Sequence, residues 1–204
     1  MLDIFYENNF VYVTYSENMS KGFTSTSLAK AKYKEDVLNF KNLFRSEPPI
    51  KSGYHFGSRI VIKEDDIFIS SGERGGDWFG KVNIGGNYGW DKLYWGGTKY
   101  SGLPGGPEWL PGYDKPIKYY VPSIATSACL IYNGDEFKEW NGEALIASLK
   151  HQSLRRLKFE ENKFIEEKII FKNTVGRIRD VKQEKDGKIL MLSDYGELWR
   201  MTRK

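Results

Sequence analysis

Apolar positions along the 204 residues fall in short runs, alternating with polar ones or rich in β-branched and aromatic side chains. Each run ends in a charged, glycine or proline turn, the pattern of short strands. FVYVTYS (10–16) and STSLAKAKY (25–33) predict the first two strands. RIVI (59–62) and DIFISS (66–71) predict a pair around the charged turn KEDD. A glycine- and proline-rich stretch with aromatic anchors fills 85–113 and reads as an ordered excursion or a site rim. Strands are then predicted at IKYYVPSIA (117–125), SACLIY (127–132), ALIASLK (144–150), SLRRLKF (153–159) and KFIEEKIIF (163–171). GRIRDVKQ (176–183) and KILMLSD (188–194) pair around Lys185-Asp186-Gly187, and ELWRM (197–201) follows.

Residues 34–46 partly fit a helical period at Val37, Leu38, Phe40, Leu43 and Phe44. An internal repeat decides against a helix. VYVTYS–STSLAKAKYKEDVLNFKNLF–GSRIVIKEDDIFISS lies alongside ALIASL–HQSLRRLKFEENKFIEEKIIF–RIRDVKQEKDGKILMLS, with matching residues about 120–127 positions apart. The counterpart FEENKFIEEKIIF alternates, so both segments are predicted as a turn and an outer strand. Roughly four short strands per 40–50 residues is the mark of a β-propeller, and the chain holds about four such units. The fold class is therefore all-β, an incomplete β-propeller in one domain spanning 1–204.

Composition agrees with that class: 15% aromatic residues and 21 glycines favour sheets and tight turns. The net charge of +4 is spread along the chain, without the basic stripe of a nucleic-acid binder. Cys129 is the single cysteine and sits in an apolar run, so neither a disulfide nor a zinc cluster is predicted. No apolar run approaches the ~18 residues of a membrane helix. Met1 leads directly into LDIFYENNF without the features of a signal peptide.

The chemistry centres on residues 53–90. His55 stands just before the strand pair, and an imidazole on a rigid base beside a loop rim suits proton transfer near neutrality. On residues alone, a histidine satisfied within a turn is the competing reading. Arg177 and Arg179 fall at i and i+2 of one strand, so both side chains share a face. A solvated edge explains that spacing equally well. His151, in LKHQS, reads as surface.

The motifs HFGSRIV (55–61), SGERG (71–75), GGNYGW (85–90), YYVPSIATSA (119–128), NGDEFKEWNGEALIASLKHQSLRRL (133–157) and GRIRDV (176–181) together resemble the PQQ-dependent aldose sugar dehydrogenases of the glucose/sorbosone dehydrogenase family. The resemblance runs, with gaps, from Leu2 to the C-terminus. It implies six-bladed propellers that oxidise the anomeric carbon of aldoses to lactones, with pyrroloquinoline quinone (PQQ) and calcium held over the central channel. Relative to that pattern, the first blade and a middle segment are missing. GERGGDWFGKVNIGGNYGW (72–90) resembles two family motifs joined near 72–77.

By the same resemblance His55 is the base, and Lys150, Arg177 and Arg179 contact the quinone. Backbone oxygens of Gly72 and Glu73 stand where the family binds calcium, with Asp77 supporting from behind. Tyr119 and Tyr120 stand near the sugar, with a buried strand aromatic as the commoner meaning of such residues, and Asp180 orients an arginine or caps a turn. The implied partners are an aldose substrate and an external electron acceptor, with no nucleic acid and no membrane insertion. A periplasmic location is implied by the family alone. A homodimer would cover sheet edges left open by missing blades. A second class stays open: a non-catalytic carbohydrate-binding or assembly module, or an inactive fragment.

Overall fold

Fifteen strands form four antiparallel sheets in the computed structural model, which describes residues 3–33, 37–47, 49, 51, 59–63, 66–71, 76–83, 85–89, 92–99 and 101–204, with backbone alone at 63 and 67–71. The first sheet holds β1 (Asp3–Glu7), β2 (Phe10–Asn18), β3 (Thr24–Lys32) and β4 (Lys41–Arg45) in chain order. The second holds β5 (Arg59–Lys63), β6 (Asp66–Ser71), β7 (Asp77–Lys81) and β8 (Lys118–Tyr120). The third holds β9 (Thr126–Ile131), β10 (Ala144–Ser148), β11 (Ser153–Glu160) and β12 (Lys163–Lys172). The fourth has three strands, β13 (Ile178–Gln183), β14 (Ile189–Ser193) and β15 (Leu198–Met201).

The sheets stand in a row, with the first strand of each against the first strand of the next: β1 on β5, β5 on β9, β9 on β13. These are the inner strands of a propeller, and β4, β8 and β12 are outer ones. Among the described residues the first sheet does not pack on the fourth as successive sheets pack on each other, so the ring is open. The internal repeat is structural: β2 to β6 and β10 to β14 occupy matching places in successive sheets.

Packing between sheets explains the strand sequences. β10 is buried on both faces, which is why ALIAS carries no charge. Leu145 and Ala147 join Ile178, Val181 and Met191 between the third and fourth sheets. Ala144 and Ile146 join Val61 and Phe79 between the second and third. Tyr12, Leu28, Ile60 and Ile62 fill the space between the first and second.

Hydrogen bonds tie the starts of all four inner strands. Asp3 accepts from the Ile60 amide at 2.8 Å and pairs with Arg59 at 3.3 Å. Arg59 Nε donates to the Ser127 carbonyl at 2.6 Å, and Ser127 Oγ donates to the Ile178 carbonyl at 2.5 Å. At the other end, Tyr132 donates to the Gly187 carbonyl at 2.7 Å and accepts from the Phe137 amide at 3.0 Å. A Cβ on Gly134 would lie 2.7 Å from Gly187 Cα, so backbone meets backbone there.

Two strands were not predicted. β1 is half-exposed and only five residues long, with Ile4 and Tyr6 on its open face. β7 was read as loop because of its glycines. Gly80 is needed in that strand, since a Cβ there would meet Pro116 Cα at 3.1 Å and Ile117 N at 3.2 Å. The run 117–125, predicted as one strand, is strand only at β8 before the chain turns at Pro122. The excursion after β7 is ordered by ring stacking, Trp78 on Tyr88 at 4.7 Å and Trp95 on Tyr119 at 5.3 Å.

Phe79 is fully buried at the junction of the second and third sheets, its ring 5.7 Å from Phe159. Phe79→Ala is expected to cost about 3–5 kcal/mol, read as a lowered urea midpoint. An unchanged midpoint would remove this junction from the core.

Candidate active site

Lys150 sits in the turn between β10 and β11. Ser148 pairs with Thr126 in the sheet, and the turn leans on the segment before β9. The Leu149 amide donates to the Ala125 carbonyl at 2.8 Å, and the Lys150 amide to the Ile124 carbonyl at 3.0 Å. The Lys150 side chain is exposed and, among the described residues, has no carboxylate partner.

Arg177 and Arg179 share Asp194. Arg177 Nε donates to Asp194 Oδ2 at 2.5 Å, and Arg179 donates to both carboxylate oxygens, its Nη2 at 3.2 Å. The guanidinium of Arg179 first, and that of Arg177 second, hold the Asp194 carboxyl below its usual range. Both arginines are about half exposed, at 41% and 52%, so solvent screens the pair and each keeps room for a further ligand. Of the two roles expected for Asp180, orienting an arginine or capping a turn, the first falls to Asp194, and Asp180 accepts from the neighbouring Val181 amide at 2.9 Å. The hairpin register explains why: Ile178 pairs with Ser193, which puts Asp194 beside Arg177.

Lys150 and the arginine pair lie at the same end of the inner strands. Ser127, next to Thr126, bonds the carbonyl of Ile178, the residue between the two arginines. Among the described residues, two guanidiniums on one carboxylate plus an ammonium without a carboxylate leave a net positive charge. Such a set can hold a planar polycarboxylate.

Behind the Lys150 turn runs a buried polar chain. Arg155, 7% exposed, donates to Glu167 Oε2 at 2.8 Å and lies 3.0 Å from His151 Nδ1. Glu167 Oε1 accepts from the Tyr120 hydroxyl at 2.6 Å. An arginine can only donate, so His151 accepts at Nδ1 and carries its proton on Nε2. Burial, then the Arg155 charge, lowers the His151 pKa. Burial, then the Glu167 carboxylate, pushes the Tyr120 hydroxyl well up. Two expectations are corrected by this chain. His151 is a half-buried acceptor rather than a surface residue. Tyr120, 6% exposed beneath Arg155, is a core residue rather than a platform for sugar.

Asp77, expected to support a calcium site from behind, is fully buried, and its carboxylate accepts from Ser123 Oγ at 2.8 Å and from the amides of Ile124 at 2.9 Å and Thr126 at 3.0 Å. His55, Gly72 and Glu73 lie outside the described residues. Sequence reasoning missed Arg59, Arg155, Glu167 and Asp194. Arg59 closes the HFGSR motif, and Asp194 follows from the hairpin register. Arg155 and Glu167 sit in adjacent strands, but their pairing depends on bulges in the β11–β12 register.

The propeller arc with a cationic inner end belongs to a known class. The chain belongs to the glucose/sorbosone dehydrogenase family, whose model matches residues 1–77 and 70–200. It is similar to the aldose sugar dehydrogenase YliI of Escherichia coli (strain K12), 25% identical over 276 residues that cover 97% of this chain and 74% of the relative. Those 276 positions exceed the 204 residues of this chain, so the relative carries segments without a counterpart here. The crystal structure of the soluble aldose sugar dehydrogenase from E. coli, in its apo form, superposes with a TM-score of 0.67 at 23% identity, covering 97% of this chain and 79% of that one. The PQQ-bound form of an aldose sugar dehydrogenase from Streptomyces coelicolor gives a TM-score of 0.53 at 14% identity, covering 91% and 70%.

The lowered His151 pKa carries a pH signature. Above about pH 6.5 His151 is neutral folded or unfolded; below it the unfolded chain takes a proton that the fold resists. Its contribution is present above the unfolded value and lost as pH falls through the folded one. The urea midpoint of the native chain, measured against His151→Gln, is expected to drop from pH 7 to pH 5 and to stay level above 7. Parallel profiles would contradict the Arg155–His151 contact.

Proposed function

We propose that this chain binds PQQ and oxidises aldose sugars at the anomeric carbon to lactones. The observation that carries the reading is the net-positive set of Lys150, Arg177 and Arg179 at one end of the inner strands. The residues fit a tricarboxylate quinone: the ammonium and the two half-exposed guanidiniums would hold its carboxylates. The PQQ-bound Streptomyces relative supports the choice of cofactor. When bound, the quinone supplies a two-electron acceptor, which an external acceptor then discharges. His55 would take the C1 hydroxyl proton as hydride leaves that carbon. Calcium belongs to the same reading, on the backbone oxygens of Gly72 and Glu73. So does a periplasmic location.

We also read the chain as one partial propeller domain with a join near 72–77. The two matched ranges overlap at 70–77, and the longer alignment with the E. coli relative supports a missing middle segment. A second copy would cover the end sheets, which expose Ile4 and Tyr6 at one end and Leu198 and Trp199 at the other. Light scattering is expected to give a mass near twice 23.6 kDa. A monomer mass would remove this part.

The test of activity is reconstitution with PQQ and calcium, followed by quinone absorbance and by dye reduction with aldoses. Saturable binding with sugar-dependent reduction is expected. His55→Ala should abolish reduction while keeping binding, and Lys150→Ala should weaken PQQ binding about tenfold, the loss of one charge-assisted contact. A folded chain that binds no PQQ at micromolar concentration would overturn the enzyme reading. It would leave a non-catalytic carbohydrate-binding or assembly module.

A further inference from the structure

We infer that Asp77 is a positioning residue for Lys150, acting through the loop 123–126. The inference rests on the reading of Lys150 as a cofactor contact. The two residues belong to different sheets and do not touch in any contact described above. They are joined by one short loop with a hydrogen bond at nearly every backbone group.

On one side, the Asp77 carboxylate takes the Ser123 hydroxyl and the amides of Ile124 and Thr126. On the other, the Ile124 carbonyl receives the Lys150 amide and the Ala125 carbonyl receives the Leu149 amide. The Ala125–Thr126 peptide therefore faces Asp77 with its donor and the Lys150 turn with its acceptor, and the Ile124–Ala125 peptide faces Ser123 Oγ with its donor and the same turn with its acceptor. Ala125 between them has φ +57°, a left-handed conformation that an alanine does not hold unaided. The bonds that fix it are those of Asp77 to Ile124 and Thr126 on either side, and that of Ser123 Oγ, which accepts the Ala125 amide at 3.1 Å. A strained residue persists only where its surroundings over-determine it. Here the over-determination comes from Asp77. Without the carboxylate, Ala125 relaxes, its carbonyl and that of Ile124 turn away, and the Lys150 turn loses its seat.

The chain Ser127–Ile178 begins one residue beyond this loop. Asp77 thus fixes Lys150 relative to the arginine pair as well as to its own strand. Its role is geometric, and the cofactor would sense it as a change in where the ammonium stands.

The test joins amide hydrogen exchange of the cofactor-free chain to PQQ titration. In Asp77→Asn, which keeps the shape and one acceptor oxygen, the amides of Leu149 and Lys150 are expected to exchange about tenfold faster, while those of Val181 and Met191 keep their native rates. Asp77→Ala should enlarge the effect, and Ser123→Ala should reproduce part of it if the alanine variant does not fold. PQQ affinity should fall in Asp77→Asn by up to the loss in Lys150→Ala, and the double variant should lose no more than Lys150→Ala alone. A purely structural aspartate would give losses that multiply, and that result overturns the inference. Native exchange at 149 and 150 in Asp77→Asn overturns it as well. If the native chain binds no PQQ, the cofactor reading fails by itself, and the exchange rates still decide whether Asp77 holds the turn.

Discussion

A carboxylate with no exposed surface is the constraint on which the middle of this molecule depends. Burying the Asp77 charge costs several kcal/mol unless donors replace water. A hydroxyl and two amides of a single loop are among those donors, so the loop takes a shape that presents all three. That shape sets the start of β9, and β9 is the strand against which both β5 and β13 pack. Asp77 thus ties the second sheet to the third, beside the bonds of Arg59 to Ser127 and of Ser127 to Ile178. The apolar clusters between sheets supply most of the stabilisation, yet they are tolerant of sliding. The buried charge is not.

Charge is distributed unevenly between the two layers of the candidate site. The deeper layer is neutralised: Arg155 has Glu167, and the histidine beside it is kept uncharged by its acceptor role. The outer layer is left cationic, with two arginines on one aspartate and a lysine with no carboxylate among the described residues. A buried pair has little attraction to spare for a ligand, whereas the outer cations still face water and can exchange it for an anion. The sequence neighbours Lys150 and His151 thus belong to different layers, one outward and one inward.

The fold was largely legible because propeller strands bury both faces. ALIAS, SACLI and RIVI carry almost no polar residue, and the repeat placed the outer strands that periodicity left ambiguous. What escaped were segments where tertiary contact overrode local pattern. β7 looks like loop because Gly80 is demanded by Pro116, thirty-six positions away in sequence. β1 is too short and too exposed to show a core face. The site was legible in part. Lys150, Arg177 and Arg179 were singled out through resemblance, and their turn and strand lie at one end of the inner strands. Their carboxylate was missed although the hairpin register holds it, since Ser193 opposite Ile178 leaves Asp194 nowhere else to go. Tyr120 was left between a sugar platform and a buried strand aromatic, and His151 was placed at the surface, because such residues look alike in sequence whether buried or exposed. Only the partners across the sheet, Glu167 and Arg155, distinguish the cases.

The contact of Tyr132 with Gly187 has a mechanical consequence. The third and fourth sheets are pinned at one end by Ser127 on Ile178 and at the other by Tyr132 on Gly187, where backbones meet without room for a methyl group. Two plates bolted at both ends cannot hinge, and the interdigitated side chains between them resist shear. Lys150 and the arginine pair therefore ride on one rigid body. Any closing motion around a ligand at this end has to come from the loops above it or from the earlier sheets.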